Sequence, residues 1–412
     1  MVGDSPVLRR DIGLAGTMLL GLGSMLGSGV FVSIALAEEM IGAWVLPAIM
    51  LAAALAACNA LSSAQLAASH PRAGGTYEYG HVYLTPAAGF LAGTAFLLAK
   101  GASAATAALA FAAYLGALFP LGLPLAVPAI GLVALLTALV LAGLRRANWL
   151  NAAIVGFVVL VLAALILAGS LAPGKAPVFP ADAMGGTFLH AAALLFVAFT
   201  GYGRVATLAE EVREPARTIP PAIAATILVT GLLYMGVGWV LARIPARAAD
   251  ASTALEAVAA ALGSPVLAGF VAVAALVAMA GVLLNLLLGL SRVLFAMGRR
   301  GDAPPALAAV RGGQPAAAII AVALGIAALC LIGEVRTAWT FSAVSVLIYY
   351  AVTNLAALRL PREHRLFPRW ISWVGLAGCL GLAVFIPPGY WAGMGLAMVA
   401  AFAMREVVRR SA

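Results

Sequence analysis

The sequence predicts an all-α integral membrane protein with twelve transmembrane helices, two of them broken inside the membrane. Three observations lead there. The chain has 412 residues, of which 64% are hydrophobic and 9% charged, with a mean hydropathy of +1.08; a soluble domain carries about 25% charged residues. Apolar runs of membrane-crossing length recur near 13–36, 41–68, 86–117, 125–143, 148–171, 186–209, 219–242, 264–296, 314–333, 337–358, 371–386 and 388–404. The first and sixth of these runs are interrupted by glycine-rich stretches.

Prolines mark the joints between runs: Pro71, Pro124, Pro173, Pro220, Pro245, Pro315 and Pro387. Arg9 and Arg10 precede the first run much as in a signal peptide. That run is too long, however, and no small-residue cleavage site ends it, so a retained span is expected.

Charge placement sets the orientation. With the N-terminus inside, the inner segments collect Arg145, Arg146, Arg299, Arg300, Arg362, Arg365, Arg409 and Arg410. The outer segments hold Lys175, Arg243, Arg247 and Arg336, and Lys100 and Arg204 remain at membrane depth. This asymmetry follows the positive-inside rule. It predicts a multi-pass protein of the cell's inner membrane with both termini cytoplasmic. It also excludes a nucleic-acid partner, because the net charge of +9 is spread over separate short loops. Cys58, Cys330 and Cys379 sit singly in apolar runs, and the four histidines show no ligand spacing. Neither a disulfide framework, a metal site nor a cofactor is expected.

The first interruption, Gly21 to Phe31, reads GLGSMLGSGVF. Four glycines and two serines in eleven residues make a poor continuous helix. Non-helical backbone at membrane depth is tolerated only where it lines a buried polar cavity. Close packing through Gly23 and Gly27 is the competing explanation. The second interruption, Phe196 to Arg204, reads FVAFTGYGR and falls five spans later. Five is odd, so a duplicated five-span unit would enter the membrane in opposite senses. Paired broken spans in two inverted halves point to a transporter with its site at the midplane. A half-helix starting near Ser28 offers unpaired amides and a positive dipole end to an anion. The preceding half ends in free carbonyls, suited to a cation.

These interruptions and four neighbouring segments carry a resemblance. The set GSGVF, PRAGGTYEY, FTGYG followed by EEVREPARTIP, SRVLFAMGRRGDAPP and NLAALRL resembles the amino acid–polyamine–organocation (APC) transporter family, from about residue 10 to 360. The resemblance implies a five-plus-five inverted-repeat (LeuT-like) fold with two extra C-terminal helices. The parts would be a cytoplasmic segment 1–12, a first repeat 13–171, a second repeat 186–358, helices at 371–404 and a tail 405–412. It also implies alternating-access transport of amino acids. The substrate carboxylate would then rest on the amides of Ser28 and Gly29, with Gly27 before them. The substrate ammonium would rest on carbonyls of Met25, Val197 and Thr200. Gly201 and Gly203 complete the sixth-span break, and third-span residues aligned with Ala99, Lys100 and Ala104 would flank the substrate.

The sequence departs from the family in three places. Gly203 stands where many relatives carry an acid, and Arg204 follows it. Val158 stands where some proton-coupled relatives carry a lysine that replaces a sodium ion. The eighth run from Pro265 to Leu290 has no Ser or Thr, and Asn285 is its only polar side chain. Lys100 lies about fifteen residues into the third run, roughly 20 Å deep at 1.5 Å per residue. A lysine there costs about 2.5 kcal/mol or more and usually faces the bundle interior. Lys100 is therefore the coupling candidate, pairing when protonated with carbonyls freed by the first break. Arg204 stays charged and is expected to pair with Glu210 or Glu211.

The expected function is secondary transport of amino acids, small neutral ones first and acidic ones next. Cationic ones would meet like charge. Protons are the expected coupling ion; exchange or uniport without ion coupling is the alternative. A channel would need a continuous polar path. An enzyme would need reactive groups at membrane depth, whereas His70, His81, His190 and His364 lie near span ends.

Overall fold

The computed structural model describes residues 13–70, 74–120, 122–143, 148–203, 212–244, 251–310, 314–331 and 333–411. Arg204, Glu210 and Glu211 lie outside them. Helices make up most of the described residues, with isolated bridge residues at Val212 and Gln314. The first run divides into α1 (Leu14–Met25), a π-helical turn (Gly29–Ser33) and α2 (Ile34–Ile41). There follow α3 (Val45–Ser69), α4 (Thr76–Tyr83), α5 (Pro86–Leu118), α6 (Ala126–Leu141) and α7 (Asn148–Leu171). The second half holds α8 (Gly186–Phe199), continued by a 3-10 turn (Thr200–Tyr202), then α9 (Pro215–Arg243), α10 (Ala254–Ala261), α11 (Pro265–Arg299), α12 (Ala316–Cys330) and α13 (Val335–Leu358). The chain ends in α14 (Arg369–Val384) and α15 (Pro388–Ser411).

Seven stretches among the described residues are long and apolar enough to cross a membrane. One of them, Leu14–Ser69, runs for 56 residues and contains the first two expected spans. Four further expected spans fall on α6, α8, α12 and α14, which have 16, 14, 15 and 16 residues. At 1.5 Å per residue these regular parts fall short of the roughly 30 Å hydrocarbon core.

Three helical stretches lie outside the apolar runs. The segment containing Thr76–Tyr83 lies between the second and third apolar runs yet forms α4, with Thr76, Tyr77, Glu78, Tyr79 and Gly80 buried. The short α10 lies between the seventh and eighth runs, where no element was expected. From residue 405, where the tail is expected, α15 continues as helix to Ser411.

The centre is built on α5, packed by α13 on one side and α11 on another. Its buried positions are mostly Gly, Ala, Ser and Thr, which let neighbouring backbones approach closely where lipid gives no hydrophobic push. The α5–α13 contact is pinned by a short chain: Ser103 Oγ donates to Ser342 Oγ at 2.8 Å, and Ser342 Oγ donates to Ala99 O at 2.8 Å.

Candidate functional site

The first glycine-rich interruption is a break in the helix, and the second is a change from α-helix to a 3-10 turn. α1 stops at Met25; Leu26 turns out of helical geometry at φ −81°, ψ 66°, and Gly27 N donates to Met25 O at 2.9 Å. The amides of Val30 and Phe31 then both find Gly27 O at 3.1 Å. Ser28 and Gly29 therefore head the next helical stretch, where a helix offers its first amides no acceptor of its own. In the sixth run, α8 gives way to the turn at Thr200, whose amide donates to Val197 O.

The two breaks press directly on each other. A Cβ on Gly201 would lie 2.6 Å from Met25 Cγ and 2.7 Å from both Ser24 C and Ser24 O. The absence of a side chain at 201 is what lets the sixth-run backbone lie against the first. Gly27 plays the same part on the opposite flank, where a Cβ would strike Val282 of α11.

Around the breaks lies a cavity of about 890 Å³. Met25, Ser28, Gly29, Val197, Thr200, Gly201 and Gly203 line one wall. Phe96, Lys100 and Ser103 form one face of α5 on another wall, and Val282, Asn285, Leu286, Gly289, Val293 and Ala296 form one face of α11, as helical spacing requires. Trp339 and Tyr350 of α13 complete it. Three of the expected site residues are not in the wall, among them Ala104, which is fully buried in α5. Ala99 is fully buried with its carbonyl on Ser342, and Gly27 packs on α11.

Lys100 reaches the sixth-run break, whereas the sequence reading directed it to carbonyls of the first. Its Nζ donates to Thr200 Oγ1 at 2.7 Å, and Thr200 Oγ1 donates in turn to Val197 O at 2.6 Å. Among the described residues no carboxylate lies within ion-pair distance of Lys100.

Sequence reasoning missed Tyr234 of α9. Its hydroxyl sits between the breaks, 2.7 Å from Met25 O and 3.2 Å from Ala198 O. A signal was present: Thr226, Thr230 and Tyr234 recur every fourth residue in an apolar run, so they share one helix face. That face meets the first run, with Thr226 against Gly21 and Thr230 Oγ1 donating to Met25 Sδ at 3.4 Å. Tyr234→Phe is expected to cost about 1 kcal/mol, the net worth of one such bond, read as a lower melting temperature in detergent. An unchanged melt would show that the bond holds nothing.

The cavity is closed on one side and leads out on the other. On the closed side Ser33 Oγ and Trp339 Nε1 both donate to Leu194 O, at 3.0 and 3.1 Å, and Phe31 meets Tyr114 edge-on at 6.0 Å. Beyond them Arg336 pairs with Glu39 at 2.6 Å. On the other side the wall continues to Glu78, Arg292, Arg299 and Arg300, with Glu78 and Arg300 paired at 2.5 Å. Among the described residues no cluster of His, Cys, Asp or Glu could hold a metal.

A membrane-embedded cavity bounded by two touching helix breaks, closed at one end, defines a transporter. The amino acid permease family model matches residues 16–409, and the chain belongs to that family of membrane transporters, which are not enzymes. An uncharacterized transporter of Mycobacterium tuberculosis is 39% identical over 98% of this chain and 93% of its own length. The branched-chain amino acid permease of Bacillus subtilis is 29% identical over 74% of this chain and 70% of its own. Human cationic amino acid transporter 4 is 29% identical over 86% and 61%.

Proposed function

We propose that this permease is a secondary transporter that moves amino acids without net positive charge by alternating access. The observation that carries the reading is the cavity, which joins both helix breaks to one side of the protein while α2, α8 and α13 seal the other. With twelve spans in a five-plus-five inverted repeat and both termini cytoplasmic, the open side is the inner one, because Arg292, Arg299 and Arg300 line it. The described state is then inward-facing. Ser28 and Gly29 receive the substrate carboxylate at the head of a helix. The cationic substrate class named for the human relative does not fit, since Glu78 is the sole acid among the described cavity residues and Arg300 already holds it.

The coupling ion in this reading is the proton. Sodium sites between the first and eighth runs need oxygen ligands, and the α11 side chain against Gly27 is Val282, with Ala278 O the one oxygen beside it. Lys100 carries the exchangeable proton, and its release would loosen the third-run tie to Thr200 and bias the gate. In proteoliposomes, uptake is expected to be independent of sodium and to rise when the outside is acidified. Lys100→Ala is expected to lose accumulation under a pH gradient but keep exchange at saturating substrate. A requirement for sodium, or normal accumulation by Lys100→Ala, would overturn the coupling.

A further inference from the structure

We infer that the substrate carries a net negative charge, as a compound with two carboxylates. The inference rests on the transporter reading above and reverses the order expected from sequence, which placed small neutral amino acids ahead of acidic ones. It starts from the carbonyls meant for a substrate ammonium. A carbonyl oxygen has two lone pairs. Met25 O already accepts from Gly27 N at 2.9 Å and Tyr234 Oη at 2.7 Å. Val197 O already accepts from Thr200 N and from Thr200 Oγ1 at 2.6 Å. Thr200 O accepts from Gly203 N and, at 3.4 Å, from Tyr350 Oη, so the cation-binding end of the site is filled by the protein's own donors.

Behind them stands the protein's own amine. Lys100 Nζ, on Thr200 Oγ1 at 2.7 Å, occupies the region where a substrate ammonium is expected. A lysine held only for structure would sit against a carboxylate or several carbonyls; this one touches a hydroxyl and faces the cavity. A neutral zwitterion would place a second ammonium beside it, and like charges repel strongly where water is scarce. An anionic substrate instead sets one carboxylate on the Ser28 and Gly29 amides and leaves the other for Lys100. Arg292 and Arg299 add to the positive field of the vestibule, although the positive-inside bias alone would place them there; Lys100 carries the argument.

Two sources share this chemistry: acidic amino acids, and dicarboxylates without an amine. Purified wild-type protein would be titrated with L-aspartate, L-glutamate, succinate, L-alanine, L-leucine and L-arginine, reading binding by thermal shift and calorimetry. The expected result is tightest binding of aspartate, glutamate or succinate. Lys100→Met should weaken that binding at least tenfold, on the order of the coupling seen for close charge pairs, while Lys100→Arg keeps the preference. Preference of succinate over the amino acids would identify a site read without an amine. Tighter binding of alanine or leucine than of every dicarboxylate would overturn the charge inference and leave the transporter reading standing. Failure of all six compounds to bind folded protein would overturn both. The wild-type ranking decides the matter even if Lys100→Met does not fold.

Discussion

Gly201→Ala is expected to reduce transport by at least tenfold and to lower the melting temperature. One methyl group at 201 would enter space held by Met25 Cγ at 2.6 Å and by the Ser24 carbonyl at 2.7 Å. The methionine end can move, but the Ser24 backbone belongs to the last turn of α1 and cannot shift without moving the break. Overpacking of this kind costs about 1–3 kcal/mol, and here it falls on the geometry that presents the proposed carboxylate site. Gly203→Ala is the matched control. Among the described residues its Cβ would meet only Tyr350 Oη, at 3.1 Å, and a small effect is expected. Uptake into proteoliposomes and melts in detergent would be measured for both. Wild-type transport by Gly201→Ala would refute the claim that the two breaks must touch. Gly29 belongs to the same contact: a Cβ there would collide with Tyr234 Oη and lie 3.1 Å from Ala198 Cβ. Substitution at 29 would thus disturb packing as well as the amides.

Much of this was legible in the sequence, and what was not has a physical reason. Apolar runs and proline joints located nearly every long helix, because lipid leaves a crossing chain few alternatives to helix. The breaks were legible because GSG and TGYG are costly in an unbroken helix. Lys100 was legible because a charge at that depth is expensive. Its partner was not, since Thr200 and the first-run carbonyls are equally polar and only the packing of α5 against the sixth run chooses between them. Tyr234 was hidden for a related reason: a tyrosine in an apolar run reads as hydrophobic bulk until the facing helix is known. The burial of α4 depends on contacts with α5, its neighbour in the chain, and with α13, far away in sequence.

Asp302→Ala is expected to cost about 3–5 kcal/mol, the toll of removing one partner from a buried ion pair. Sequence places this carboxylate through the helix stop in GRRGD. Gly301 adopts φ +71°, Gly301 N donates to Gly298 O at 3.2 Å and Asp302 N to Met297 O at 2.9 Å, which is a Schellman cap on α11. The cap turns the Asp302 side chain into the protein, where it is 1% exposed. There it accepts from Arg405 Nε at 2.7 Å, from Arg409 at 3.1 Å and from Tyr77 Oη at 2.8 Å, with His81 Nε2 at 3.3 Å. Burial first, and the Asp302 carboxylate second, push the Tyr77 phenol above its usual range, so it stays a donor. One carboxylate thus ties α4, the end of α11 and α15 together beside the Glu78–Arg300 pair at the cavity mouth. Removing it strands Arg405, whose side chain is 8% exposed. Arg405 also stacks on Phe90 at 4.6 Å. Arg409 is 47% exposed on its side chain, so Arg409→Ala should cost under about 1 kcal/mol. Detergent melts of Asp302→Ala, Arg409→Ala and the double variant Asp302→Ala/Arg405→Met test the ordering. The double variant, with no stranded charge, should recover part of the loss; a double variant no more stable than Asp302→Ala would mean that the stranded guanidinium is not what destabilises the fold.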